Sequence, residues 1–177
     1  MLSKYILKNL PFRLRQGLDN AKDRTVGRLR MKADLSVIVI RKDGKQEDFG
    51  VVSTRVVTDA FVNYLVDSMQ DSSTYPMDVF KYHACGTGTA SEAASDTALG
   101  AEVESRTSGT LTEGGSPNKF QTVGTITMTG SHSITEHGIF SASSAGTLLD
   151  RSVFSAINVA SGDSIQFTYT LTVNSGQ

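Results

Sequence analysis

Cysteine occurs once in this chain, at Cys85, and tryptophan does not occur at all. A single thiol closes no intrachain disulfide and holds no zinc by itself, so a disulfide scaffold and a cysteine-based metal fold are both excluded. The count leaves oxidising and reducing compartments equally open. Long apolar runs are missing too: the longest, such as Leu35 to Ile40, fall far short of the roughly 18 residues a spanning helix needs. No secretory apolar core stands near the start. Met1 to Lys32 is Arg-bearing and acid-poor like a mitochondrial transit peptide, but it lacks the serine enrichment of one. Proline is scarce, at three residues, and aromatics make up only 7%. What the chain does have is 16 glycines, serine and threonine approaching a quarter of its 177 residues, and 38% hydrophobic residues. That composition folds and leans to an all-β domain, because turns and solvent-facing strand positions take those residues.

The net charge of −1 conceals a division near residue 32. Up to that point nine basic residues (Lys4, Lys8, Arg13, Arg15, Lys22, Arg24, Arg28, Arg30 and Lys32) face only Asp19 and Asp23, a net of +7 that leaves −8 for the rest. We therefore expect two parts, a basic N-terminal arm over residues 1–32 and a folded domain over 33–177. A basic arm suits an acidic partner: nucleic acid, an anionic membrane surface or a negatively charged protein. Attraction between arm and body also allows the arm to fold back on its own body or a neighbouring copy. Within the arm, Tyr5, Ile6 and Leu10 share a face of a short amphipathic turn that Pro11 interrupts. Arg13 to Arg30, with Gly17 and Gly27 among scattered apolar residues, is too weakly patterned for a stable isolated helix. An arm that orders on a partner fits better.

Hydrophobic alternation organises the rest. Asp34 to Ile40 is a β-branched run, Asp43-Gly44 is a hairpin turn, and Gln46 to Val57 returns as a ragged second strand. One good helix follows, with Thr58 as N-cap, Asp59 in the first turn, and Ala60, Phe61, Tyr64, Leu65 and Met69 as a core-facing stripe ending at Asp71. Further strands are expected over Val79–Cys85, Glu102–Leu111, Lys119–Met128, Ser133–Phe140, Arg151–Ile157 and Ser164–Val173. The last is the clearest, since Ile165, Phe167, Tyr169, Leu171 and Val173 alternate strictly with Ser, Gln and Thr. Short strands with Gly-rich turns and one helix mean a mainly β protein, an antiparallel, jelly-roll-like β-sandwich with one short helix and an extended basic N-terminal arm.

No residue pattern marks a catalytic centre, a cofactor site or a metal site, and none is expected. Gly86-Thr87-Gly88 is a bare GxG without the third Gly, helix start and acid of a dinucleotide site, and it reads as a turn. His83, His132 and His137 have no metal-ligand spacing. His83 and Cys85 would share a strand face, but further ligands would have to come from elsewhere, so core packing is the simpler account. No Gly-x-Ser-x-Gly elbow marks a serine nucleophile. Glu136 and His137, adjacent on a strand, should point to opposite faces, and Arg151 is placed to pair with Glu136 across neighbouring strands and fix register.

Three segments carry a resemblance: Ser133 to Phe140, Gly146 to Phe154, and Asn158 to Leu171. Together with Val56–Met69 and the Cys85-Gly86-Thr87-Gly88-Thr89 turn, they resemble a module of tailed-bacteriophage structural proteins, over about residues 50–173. The resemblance implies a virion component without catalytic residues, first of all a capsid decoration (cement) protein that stabilises the head shell through its arm and subunit contacts. The partner would then be the major capsid protein, and the chain a trimer or dimer. A tail, collar or fibre-adaptor protein bound to a tail or connector protein is the second reading. A nucleic-acid- or membrane-binding protein acting through the arm is the third. It is disfavoured, because Tyr5 and Phe12 are the arm's only aromatics for base stacking.

Overall fold

The computed structural model describes residues 29–55 and 57–175. The compact unit is Met31–Val173, while the flanking ends of its first and last strands fall in a second unit. The order of elements is β1 (Leu29–Ile40), β2 (Gln46–Arg55), α1 (Asp59–Gln70), a 3₁₀ turn (Met77–Val79), β3 (Tyr82–Gly86), β4 (Glu102–Ser108), β5 (Thr110–Thr112), β6 (Lys119–Thr127), β7 (His132–Phe140), β8 (Leu148–Val159) and β9 (Ser164–Ser175). They form a five-stranded sheet in the order β2-β1-β9-β6-β5 and a four-stranded sheet in the order β4-β3-β7-β8. Among the described residues, the mainly β, two-sheet architecture with one helix is the sandwich that the alternation calls for.

The strict alternation of β9 translates directly into packing. Ile165, Phe167 and Tyr169 are fully buried and Leu171 nearly so, and they meet Leu35, Val37 and Val39 of β1 and Ile126 of β6 in one core. The second sheet faces them with Cys85, Ile134, Ile139, Leu149, Phe154 and Ile157. The expected hairpin is present, with Ile40 opposite Gln46 and Gly44 at a φ of +88°, which a glycine adopts without strain. The raggedness of its second strand is real: the β1–β2 register shifts twice, between Leu35 and Ser36 and between Val37 and Ile38.

Several expected boundaries move. β1 begins at Leu29, so Arg30 and Lys32, counted with the arm, stand in a strand. Val79 belongs to the 3₁₀ turn and β3 starts only at Tyr82. The stretch 102–111 is two strands in different sheets, because Gly109 makes the corner between them. Its amide donates to the Lys81 carbonyl at 2.7 Å, and a Cβ there would stand 2.5 Å from Thr122 Oγ1.

The helix has the expected cap, with Thr58 Oγ1 accepting from the Phe61 amide at 3.1 Å while the same hydroxyl donates to the Leu148 carbonyl on β8 at 2.5 Å. Its stripe is shorter than expected. Phe61 is buried and Tyr64 partly so, both edge-on to Phe80 at ring-centroid distances of 5.2 and 4.8 Å. Met69, read as core, is 81% exposed. The helix is held by the aromatic rings of its first two turns, and its last turn extends past them.

Candidate functional site

The densest polar arrangement lies on the outer face of the four-stranded sheet, where residues 87–101 cross over β3, β7 and β8. Glu136 projects outward from β7 and is fully buried beneath this loop. One carboxylate oxygen, Oε1, accepts from the backbone amides of Gly88 at 2.9 Å and Ala101 at 2.7 Å. The other, Oε2, accepts from the Gly100 amide at 2.9 Å and from Arg151 through Nε at 2.9 Å and Nη2 at 2.8 Å. Arg151 continues the network, giving Nη1 to Asp96 at 3.0 Å and Nη2 to the Ala90 carbonyl at 3.1 Å. Burial alone would push the Glu136 carboxyl up, but three amides and a guanidinium outweigh it and hold it below the usual carboxylate value.

This geometry explains the GxG. A Cβ at Gly86 would stand 2.5 Å from both Glu136 Oε1 and the Ala101 carbonyl, and one at Gly88 would collide with the same carboxylate. The turn thus cradles an anion, as glycine-rich turns do, but the anion is the protein's own side chain. Thr135 Oγ1 adds a bond to the Gly88 carbonyl at 2.8 Å, and Leu99 closes over Ala84, Phe140 and Leu148 below the loop. The expected Glu136–Arg151 pair is present, and its role is wider than register, because it fastens a long non-repetitive loop to the sheet.

His137 points the other way, into the core, as adjacent strand positions require. Its Nε2 lies 3.0 Å from His83 Nδ1, and His83 Nε2 lies 3.0 Å from Thr122 Oγ1 on the opposite sheet. Both rings are fully buried, and the Phe167 ring lies 4.3 Å from that of His137. Burial lowers the His83 pKa to about 3 and that of His137 well below its ordinary value. Gly124 is pressed flat against the His83 ring, where a Cβ would collide. Cys85 does not join this pair; its thiol is directed at the Val103 carbonyl, 3.8 Å away, and burial pushes it up to about 12, which keeps it protonated and unreactive. Among the described residues, no group of three His, Cys, Asp or Glu side chains is placed to hold a metal.

Two further buried carboxylates were not legible as a pattern. Glu104, in the left-handed region at a φ of 59°, accepts from the Thr129 amide at 2.8 Å and from His132 Nε2 at 3.1 Å, gripping the β6–β7 turn. Asp163 accepts from the amides of Ala160 and Lys42 at 3.0 and 2.9 Å and from Arg41 at 3.0 Å, tying the β8–β9 turn to the β1–β2 turn. Both are held below the usual carboxylate range by these donors. Nothing in the spacing of a lone acid reveals which distant amides will point at it; only Asp163, in a Ser-Gly-Asp turn, carried a local hint.

Of the nine basic residues expected to bind a partner, Lys4, Lys8, Arg13, Arg15, Lys22, Arg24 and Arg28 lie outside the described residues. Arg30 and Lys32 are exposed on β1, and Lys32 Nζ is paired with Asp34 of the same strand at 3.0 Å. Among the described residues, two shallow grooves open at the sheet rims. One, of about 360 Å³, is lined by Met77, Asp78, Leu111, Thr112, Glu113 and Phe120, and the other, of about 270 Å³, lies between β2 and β8.

Fold and site together define a two-sheet β protein whose buried polar side chains are bound to its own backbone and to one another. Comparison with family models, with curated proteins and with solved structures returned no match. Among the described residues no helix is long and apolar enough to cross a membrane.

Proposed function

We propose that this chain is a structural component of a tailed-phage virion, a decoration protein that stabilises the head shell through its basic arm and through contacts between copies. The observation that carries this reading is the destination of the polar side chains. Glu136, Arg151, Glu104 and Asp163 fasten loops and turns to the sandwich and the two core histidines join its sheets, which supports a body built to persist. What it offers outward is β-sheet surface, two rim grooves and, by sequence, a +7 segment ahead of an acidic body. A tile that links neighbours needs those features, with the major capsid protein as the partner of the assembled layer.

Two measurements test it. Copies per purified particle should number in the hundreds for a decoration protein, whereas a ring-bound tail or collar protein gives about 6 to 12. Deleting residues 1–28, which stops short of β1 at Leu29, should leave a folded, soluble body that no longer enters particles. Normal incorporation of the truncated chain would sink the anchoring role of the arm.

A further inference from the structure

β5 is only three residues long and forms one edge of the five-stranded sheet, so most of the length of β6 beside it has no further strand to cover it. Its Leu111 pairs with Thr122 of β6, whose side chain is fully buried, so Leu111 and Phe120 face inward at an open rim. With Met77 of the 3₁₀ turn they floor the 360 Å³ groove, and Asp78 and Glu113 stand exposed at its margin. Neither of these two carboxylates forms an ion pair among the described residues, in contrast to Glu47, Asp96, Glu102, Glu104, Glu136 and Asp163. The groove is therefore apolar below, negative above and open along a strand edge.

A fitting occupant is a segment that carries apolar side chains and positive charge with no acid. Residues 1–18 have that composition: they hold Lys4, Lys8, Arg13 and Arg15 among Tyr5, Ile6, Leu7, Leu10, Phe12, Leu14 and Leu18, and the first acid is Asp19. We propose that residues 1–18 of one copy dock in the β5 groove of a neighbouring copy, apolar side chains on Leu111, Phe120 and Met77 and ammonium groups against Asp78 and Glu113. The choice of a neighbour rests on the structural role proposed above, since docking within one chain would link nothing. The eleven residue-to-residue steps from Leu18 to Leu29, where β1 begins, reach roughly 36 Å when extended, about the width of a domain of this size. Strand-edge docking of this kind draws affinity from main-chain bonds and specificity from side-chain pockets.

The test uses the isolated full-length protein, so its failure is separate from a failure of the virion reading, which copy counting decides. An equal mixture of unlabelled and ¹⁵N-labelled chains at high concentration is treated with a zero-length carbodiimide, which joins a carboxylate to an amine only when they touch. Mass spectrometry should find Asp78 or Glu113 joined to Lys4 or Lys8 in peptides of mixed isotopic origin. These should fall at least tenfold in high salt, while Leu111→Asp, on the groove floor, should weaken them without moving the far-ultraviolet circular dichroism spectrum. Joined peptides of one isotopic origin only, joining of Lys4 and Lys8 to other carboxylates, or no joined peptides overturn the proposal.

Discussion

At the scale of single residues, the buried charge of Glu136 is the most consequential feature. Its carboxylate collects three backbone amides and Arg151, so Glu136→Ala strands the three amides and leaves Arg151 with only Asp96 and the Ala90 carbonyl. Breaking one side of a buried ion pair costs about 3–5 kcal/mol, far more than the pair itself contributes over an apolar replacement. Chemical denaturation of Glu136→Ala should show a loss of that size; a loss below about 1 kcal/mol would mean that the loop is held by its apolar contacts. The two core histidines make a sharper claim. Between two neutral rings the Nδ1–Nε2 contact holds one proton, and His137 Nδ1 has no hydrogen-bond partner among the described residues. A buried N–H without an acceptor is costlier than a bare ring nitrogen, so His137 should carry its proton on Nε2 and donate to His83. His83 Nε2–H is then free to donate to Thr122. Nitrogen chemical shifts should report both rings as neutral Nε2–H tautomers at pH 6, and an Nδ1–H signal from either would contradict the assignment.

Elements were legible where one period dominates. β9 and the start of α1 could be read from the chain because alternation and an N-cap are local signals, and a buried face imposes its register on every second residue. Val79 was misplaced because a β-branched residue beside Phe80 reads as strand whether or not a turn precedes it. The split at Gly109 and the outward end of α1 depend on what stands opposite: His83 and Thr122 in the first case, a limited run of aromatic partners in the second. Such facts belong to tertiary packing, and no window of sequence contains them. The same holds for the site, where the Glu136–Arg151 pairing could be anticipated from strand spacing but the amides of residues 88, 100 and 101 could not. One prediction belongs to this scale. Thr58 both caps α1 and bonds β8, so Thr58→Ala removes two bonds at once and should cost about 2 kcal/mol, near the top of the range for lost caps. Loss of helical circular dichroism ahead of the main unfolding transition would show that the helix is held by this residue, and an unchanged denaturation midpoint would refute it.

For the molecule as a whole, these groups set a dependence on pH. His83 and His137 are kept neutral in the fold, but in the unfolded chain they take up protons below about pH 6.5. Their contribution is therefore intact above that value and declines as the pH falls, by up to about 1.4 kcal/mol per pH unit for each ring, and for His83 down to about pH 3. Glu104, Glu136 and Asp163 have depressed values. What they add is present above their ordinary range near pH 4 and is lost as the pH drops through their lower folded values. Urea midpoints should be level from pH 8 to 7, slope downward below 6.5 and steepen below about 4.5. A level profile down to pH 4.5 would show that the histidines are not shielded as described.

The carboxylates that grip the turns also change how the body meets its surroundings. Glu104, Glu136, Asp150 and Asp163 are nearly or fully withdrawn from solvent, which is four of the sixteen acids that follow residue 32. Glu104, Glu136 and Asp163 are met at short range by backbone amides, and the last two also by guanidinium groups. The amides carry no net charge and Arg41 and Arg151 are already counted in the −8, so the total is kept while fewer carboxylate oxygens are left for direct contact with a cation. The field that remains outside is uneven, and Asp78 and Glu113 at the open rim of β5 are among the charges that an approaching cation would feel first.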